Sequence, residues 1–204
     1  MTPEQAPVYV SLEFTPNPNT LKYSVNRELL PSGALNFPKN DDSVKERSPL
    51  AAKIFETPGI SGVMFGKDFV TVTKSEDGDW DVVHKNSSKI IEEHLTAGEP
   101  VYIGDLPAGA GGEAQTEAEK KIREIIDNEI RPAVAMDGGD IAFEKFEEGT
   151  VFLHLQGSCA GCPSATMTLK MGIETRLKDA VPEVQEVVSV LKCRTRIICC
   201  DYLH

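Results

Sequence analysis

The stretch that decides the fold of the second half of the chain spans residues 137–163 and reads DGGDIAFEKFEEGTVFLHLQGSCAGCP. Two runs typical of strands, from about Ile141 to Phe146 and from Thr150 to Gln156, are joined by a turn at Glu148 and Gly149. The loop with two cysteines comes directly after the second run. We therefore predict a β-hairpin that leads into a cysteine-bearing loop.

Helical patterns flank this hairpin on both sides. Upstream, Thr116 and Glu119 form a capping box before an apolar stripe, and we expect Pro132 to kink or divide that helix. Downstream, apolar residues spaced four apart predict a helix from about Pro163 to Ala180. A third strand is predicted from Val184 to Leu191. The order predicted for this half is helix, strand, strand, helix, strand.

The first half predicts a small mixed sheet backed by two helices. Alternating apolar runs at 8–14 and 21–25 flank the turn sequence TPNPN at 15–19, which favours a hairpin. A short helix follows, and a second hairpin is predicted around the GKD turn at 66–68. The helical stripe over 80–95 supplies the second helix.

The length of 204 residues is comfortable for two small domains. The segment at 104–115 is rich in glycine and alanine, which favours a flexible linker. We expect an N-terminal domain over 1–103, a C-terminal domain over 116–191 and an atypical tail over 192–204. The fold class is α+β, with each domain a small sheet packed by helices.

The charge balance argues against two classes of partner. The chain has 21 Lys and Arg against 32 Asp and Glu, a net charge of −11, so binding to nucleic acid or to an anionic membrane surface is disfavoured. No apolar run approaches the roughly 18 residues of a membrane helix. The beginning of the chain resembles neither a secretory signal nor a transit peptide. We expect a cytoplasmic protein, or one in the mitochondrial matrix after removal of a transit peptide.

The 5 cysteines, all at or after Cys159, fit a reducing compartment better than a disulfide framework. Cys159 and Cys162 precede a predicted helix, and the N-terminal end of a helix stabilises thiolates. Gly157 and Gly161 permit a tight turn that would bring both sulfurs to one point. Two such thiolates make half of a tetrahedral site.

Four interpretations of this pair stay open on the residues alone. The pair could serve a thiol-disulfide oxidoreductase, although the strand-strand-helix order differs from the usual setting of that motif. It could belong to a closed zinc site completed by His154, Cys193, Cys199 or Cys200. It could bind an iron-sulfur cluster together with the same pair from a second copy of the chain. Two cysteines without a ligand are the fourth interpretation.

The residues around the pair resemble a known family. The run GSCAGCPSATMTLKMGIE at 157–174, preceded by RPA at 131–133 and DGGD at 137–140, resembles the C-terminal domain of the NifU-like scaffold proteins called Nfu. The resemblance covers about 117–190. The runs TPNPNTLK, RSPLA and GVMFGKDFVTVTK in the first half resemble the N-terminal Nfu domain.

The resemblance implies a carrier that is not an enzyme. It implies a 4Fe-4S cluster, made of iron and inorganic sulfide, that bridges the two subunits of a homodimer, with Cys159 and Cys162 of each subunit as ligands. The cluster would come from upstream assembly proteins or be built in place, and would pass to apo-proteins. Independently of the resemblance, the N-terminal half has no cysteine and no evident catalytic set, so by elimination we expect it to recognise client proteins or to position the C-terminal domain.

The remaining chemistry-bearing residues favour structural roles. Asp137 and Asp140 flank two glycines that turn the chain from a helix into a strand, so we expect their carboxylates to bind local backbone. The histidines lack metal-ligand spacing and are expected to pack or to face solvent; they are His84, His94, His154 and His204. The three cysteines of the tail receive no role. No motif for ATP use or hydrolysis is found.

Overall fold

A computed structural model describes residues 7–31, 33–104, 116–160 and 163–190. The strands are β1 Val10–Phe14, β2 Thr20–Val25, β3 Leu35–Pro38, β4 Ile60–Phe65, β5 Phe69–Lys74, β6 Gly139–Glu147, β7 Thr150–Gly157 and β8 Glu186–Ser189. The helices are α1 Val44–Arg47, α2 Pro49–Phe55, α3 Trp80–Thr96, α4 Glu117–Ile125, α5 Arg131–Met136 and α6 Pro163–Ala180, with a π-helical turn at Ile126–Ile130. The expected linker, apart from Gly104, and the expected tail lie outside the described residues.

The N-terminal domain contains a five-stranded sheet in the order β1-β2-β5-β4-β3. Every neighbouring pair is antiparallel, so the expectation of a mixed sheet was wrong. Both predicted hairpins are present, as β1-β2 and β4-β5. Hairpins impose antiparallel pairing, and β3, which the sequence analysis did not predict, adds to the edge of β4 in the same sense.

Helices α2 and α3 cover one face of this sheet. Ser48 caps α2 by accepting a hydrogen bond from the Ala51 N–H at 3.1 Å, and Pro49 occupies the first helical position. Tyr23 and Phe65 are completely buried in the core between sheet and helices. The opposite face of the sheet is turned toward the C-terminal domain.

The C-terminal domain has the predicted order of helix, strand, strand, helix, strand. Strands β6 and β7 form an antiparallel hairpin, and β8 pairs with β7 in parallel. The hairpin turn consists of Glu148 and Gly149, with φ angles of 49° and 81°. Positive φ at both turn residues matches the right-handed twist of the flanking strands.

The first helical stretch of this domain runs from Glu117 to Met136, and a π-helical turn just before Pro132 divides it, as the sequence analysis allowed. The Arg131 N–H bonds to the Ile126 carbonyl, which makes a π-helical turn just before Pro132. Proline has no N–H to donate to the preceding turn of a helix. The departure from α-helical hydrogen bonding lies in the π-helical turn before Pro132, and α5 continues to Met136. This helix and α6 pack on one face of the sheet around Ile122, Ile141 and Leu177.

Among the described residues, no helix combines the length and the apolar character needed to cross a membrane.

Candidate functional site

The cysteine loop lies at the end of the C-terminal hairpin that is remote from its turn. Gly139, at the start of β6, is in register with Gly157, at the end of β7. Gly157 has φ of +63°, and the Ala160 N–H donates to its carbonyl at 3.1 Å. This left-handed turn brings Cys159 against the first residue of β6.

Cys159 packs directly on the backbone of Gly139. A β-carbon built at residue 139 would lie 2.4 Å from Cys159 Sγ, which is closer than these atoms can approach, and 3.2 Å from Cys159 Cβ, which is a tight contact. The side chain of Cys159 is buried, with 4% of the residue exposed. The glycine is therefore required by the position of the cysteine.

Ser158 ties the cysteine loop to the residues before β6. Its Oγ donates to the Asp137 carbonyl, and its N–H donates to the Gly138 carbonyl at 3.2 Å. Ser158 itself is 2% exposed. The segments 137–139 and 157–160 thus form one structure, which we call the paired loops.

Asp140 has a structural role, and its carboxylate pairs with the Arg131 side chain as well as with the local backbone that the sequence analysis expected. Its carboxylate lies 3.0 Å from Arg131 Nε, and Arg131 Nη2 donates to the Ile141 carbonyl at 2.9 Å. Burial raises the pKa of Asp140, and the guanidinium of Arg131 opposes this shift. Among the described residues, no three His, Cys, Asp or Glu side chains form a group that could hold a metal ion.

A cleft of about 650 Å³ opens beside Cys159. One wall consists of the π-helical turn and α5, and a second wall is the middle of α6. Both present mainly apolar side chains, which are Ile130, Ala133 and Val134 on the first wall and Leu169 and Ile173 on the second. A third wall belongs to the N-terminal domain and consists of Pro16 and Asn17. Cys159 is therefore adjacent to an apolar space that both domains enclose.

The polar lining of the cleft includes an ion pair between Glu129 and Arg176, together with Asn17, Asp137 and Ser158. Glu129 accepts two hydrogen bonds from Arg176, at 2.6 and 2.8 Å, and both side chains are about half exposed. The guanidinium lowers the pKa of Glu129 below its usual range. The pair joins the π-helical turn to α6 across the cleft.

The chemistry available here is that of a cysteine sulfur in the loop that leads into a helix. Helix α6 begins at Pro163, the residue after Cys162, so its positive N-terminal end faces the loop. Thiolates are ligands for zinc and for iron-sulfur clusters. Cys162 lies outside the described residues, as do Cys193, Cys199 and Cys200, so the structure locates one of the two predicted ligands.

The described histidines take part in packing and local hydrogen bonds. His154 Nδ1 donates to the Val190 carbonyl at 2.8 Å, and Nε2 lies 2.9 Å from Glu144. His94 is buried, and burial lowers its pKa. His84 stacks on Tyr23. His204 lies outside the described residues.

The sequence analysis missed the residues that approach the paired loops from the N-terminal domain. They are Asn17, Lys22, Met64 and Thr71. Lys22 and Thr71 are polar residues on strands, a pattern that predicts a solvent-exposed face of the sheet. In the structure Lys22 is only 9% exposed and Thr71 is fully buried. No local signal in the sequence distinguishes such a face from one that meets another domain.

Two family models match the chain. The model described as NifU-like domain matches residues 122–188, which include Cys159 and Cys162. The model described as Scaffold protein Nfu/NifU N terminal matches residues 10–98. The two matches together span both domains.

Relatives are similar to this chain along most of its length. The mitochondrial NFU1 iron-sulfur cluster scaffold homolog of Homo sapiens is 39% identical over 90% of this chain and 72% of its own length. A NifU-like protein of Schizosaccharomyces pombe is 38% identical over 90% of this chain and 73% of its own. The mitochondrial NifU-like protein 5 of Arabidopsis thaliana is 37% identical over 88% and 67%.

A solved structure, the solution structure of a NifU-like protein from Saccharomyces cerevisiae, is also similar. It is 25% identical, with a TM-score of 0.45, and covers 50% of this chain and 90% of its own. On the two family models and the relatives that match both domains, the chain belongs to the Nfu family of NifU-like proteins.

Proposed function

We propose that this protein is an iron-sulfur cluster scaffold or carrier and not an enzyme. The observation that carries the proposal is the buried Cys159, held beside an apolar cleft in a domain that matches the NifU-like model. Names of the relatives support it, since the human protein is called an iron-sulfur cluster scaffold homolog. The cluster is cargo, received from upstream assembly proteins or built in place, and delivered to apo-proteins.

The proposed ligands are Cys159 and Cys162 of two copies of the chain. A 4Fe-4S cluster takes four thiolates, and one CxxC pair supplies half of them. A homodimer with two-fold symmetry brings the other half from the same two positions. The donor set therefore becomes complete only when two chains meet.

Such a site suits transfer better than storage. Each chain holds the cluster by two bonds only, and a cluster at a subunit interface can exchange its ligands one at a time with an incoming client thiolate. A modest further stabilisation, of about 1 kcal/mol, comes from the positive end of helix α6 acting on the anionic cluster. Release of the cluster then requires no unfolding of the protein.

The proposal includes the domain boundaries and the compartment. We propose domains over 1–103 and 116–191, a linker over 104–115 and a tail over 192–204. A thiolate site of this kind requires a reducing compartment, either cytoplasm or mitochondrial matrix. The names of the human and the Arabidopsis thaliana relatives place those proteins in mitochondria.

Anaerobic reconstitution with ferrous iron and sulfide tests the proposal. We expect a brown dimer that contains four iron and four sulfide ions per two chains, and loss of colour and of dimer in Cys159→Ser and in Cys162→Ser. The triple variant Cys193→Ser, Cys199→Ser and Cys200→Ser is the matched control and should load normally. The loaded protein should then activate an apo 4Fe-4S enzyme.

The same samples separate the alternatives. A thiol-disulfide oxidoreductase would reduce insulin as an iron-free monomer, and a zinc module would bind one colourless ion per chain. A chain that takes up neither iron nor sulfide and stays monomeric under strict anaerobic conditions would refute the proposal.

A further inference from the structure

One face of the N-terminal sheet is a docking surface for the C-terminal domain. Lys22 on β2 pairs in register with Thr71 on β5, and Thr71 pairs with Met64 on β4. The three side chains form a row across the middle of the sheet on the face opposite α2 and α3. Met64 is 1% exposed although it lies outside the core beneath the helices.

Three hydrogen bonds join this domain to the paired loops. Asn17 Nδ2 donates to the Ser158 carbonyl at 2.9 Å, and Thr71 Oγ1 donates to the Gly138 carbonyl at 2.8 Å. Lys22 Nζ donates to the Met136 carbonyl at 3.2 Å. Every donor belongs to the N-terminal domain, and every acceptor is a backbone carbonyl in or just before the paired loops. The contact therefore acts on the backbone around Cys159.

The close contact between the two domains explains why residues 138 and 157 are glycines. A β-carbon at Gly138 would lie 3.2 Å from Thr15 Cγ2 and 3.3 Å from Thr71 Oγ1. A β-carbon at Gly157 would lie 2.6 Å from Met64 Cε. Both glycines also have positive φ, of 76° and 63°. The paired loops are thus fitted to the surface of the N-terminal domain as well as to each other.

Asn17 is held rigidly while it donates to the loop. Its Oδ1 accepts from the Asn19 N–H at 3.0 Å, and its carbonyl accepts from Thr15 Oγ1 at 3.0 Å. The residue is 6% exposed, and it lines the cleft that contains Cys159. The acceptor, Ser158, immediately precedes Cys159. A buried side chain with both polar atoms engaged is well suited to set the position of its neighbour.

We propose that Asn17 is a positioning residue for Cys159, through which the N-terminal domain sets how firmly the cysteine loop holds its cluster. This inference rests on the proposed function of Cys159 as a ligand. It gives the N-terminal domain a defined role at the site of the other domain, and it makes the TPNPN turn a part of that site.

We therefore expect docking of the N-terminal domain to control how exposed the Cys159 sulfur is. When the Asn17 donor is lost, the buried Ser158 carbonyl loses its partner from the N-terminal domain, which favours opening of the loop. An open loop exposes the Cys159 sulfur and holds a bound cluster less firmly. Both changes can be measured, and the first needs no cluster.

The test uses Asn17→Asp in the full chain. Aspartate keeps the oxygen that accepts from the Asn19 N–H but has no N–H to donate to Ser158. The matched control is Asn26→Asp, since Asn26 Nδ2 donates to the Pro7 carbonyl and its Oδ1 accepts from the Tyr9 N–H, both at 2.9 Å. That pair of bonds has the same chemistry and connects residues within the N-terminal domain.

The first measurement is the rate at which a thiol reagent modifies Cys159 when the other four cysteines are replaced by serine. We expect modification about tenfold faster in Asn17→Asp and unchanged in Asn26→Asp, which corresponds to a loss of about 1.4 kcal/mol of loop closure. Thr71→Val should also accelerate modification, whereas Thr71→Ser, which keeps the hydroxyl, should not.

The second measurement is the rate of iron release from the loaded dimer, with all five cysteines present, to a chelator. It should rise severalfold in Asn17→Asp and stay unchanged in Asn26→Asp. Equal rates in Asn17→Asp and Asn26→Asp in both measurements would overturn the inference. If no variant loads a cluster, the proposed function fails, and the modification rates still decide the role of Asn17. Should Asn17→Asp not fold, Thr71→Val and Thr71→Ser test whether donors of the N-terminal domain control the exposure of Cys159, and equal rates in these two variants would overturn the inference.

Discussion

Gly139 and Cys159 are in direct contact although twenty positions separate them in the chain, and a β-carbon at 139 would lie 2.4 Å from Cys159 Sγ. The Gln156 carbonyl, 3.1 Å from the same point, closes the other side. The DGGD sequence therefore has a packing role beside the cysteine. Its second glycine leaves the space that the cysteine side chain occupies.

We expect Gly139→Ala to destabilise the protein by about 2 kcal/mol, because the added methyl group overpacks the site and the backbone cannot move aside easily. The free energy of unfolding in urea measures this. Gly172→Ala is the control: among the described residues, no atom outside its chain neighbours and its own helix backbone lies within 4 Å of the added β-carbon. Alanine is also the better helix former, so α6 should gain stability. Equal effects of the two substitutions would contradict the packing argument.

Gly157→Ala should cost about 2 kcal/mol or more, because alanine is strained at a φ of +63° and its β-carbon would lie 2.7 Å from the Gly138 carbonyl. Met64 also blocks the position, but through the flexible end of its side chain. In a Met64→Ala background the cost should therefore fall without vanishing. A double-mutant cycle on unfolding free energies measures the difference, and full additivity would mean that Met64 does not restrict residue 157.

Arg131→Met should destabilise the protein by about 2 kcal/mol near neutral pH, since it leaves the buried carboxylate of Asp140 without its guanidinium partner. Burial already raises the pKa of Asp140, and the substitution should raise it further. Between the unfolded and the folded pKa the native state binds more protons than the unfolded state, so stability falls as pH rises and recovers as pH is lowered.

The deficit of Arg131→Met relative to the original chain should therefore shrink as the pH is lowered toward the range in which Asp140 becomes protonated. Urea denaturation at several pH values measures it. In the double variant Arg131→Met with Asp140→Asn, the carboxylate is gone and the deficit should no longer vary in this way. A deficit independent of pH in the single variant would exclude Asp140 as its cause.

Glu148→Asn should stabilise the protein by about 0.5 kcal/mol. Glu148 has φ of 49°, and asparagine before Gly149 tolerates this conformation better than glutamate. Thermal unfolding measures the gain. Glu148→Ala tests the explanation, because alanine lacks the tolerance of asparagine and should bring no gain.

The local elements of this fold could be predicted because their signals are local. The predicted bounds of α6, from Pro163 to Ala180, are those observed, and the capping box at Thr116 and Glu119 is present with both of its hydrogen bonds. Apolar spacing and capping chemistry act within a few residues. The short edge strand β3 lacked such a signal, since its pairing with β4 depends on the neighbouring strand.

The sequence by itself determined the α+β class and the order of elements around the cysteine pair, because periodicity and turn residues are properties of neighbouring residues. The proposal that this pair binds a cluster came from the resemblance of its motif to a family. Only the tertiary structure decided that Cys159 is buried against Gly139 and that the N-terminal domain contacts its loop. Asn17 and Ser158 are 141 positions apart, and a hydrogen bond over that separation depends on how two complete sheets meet.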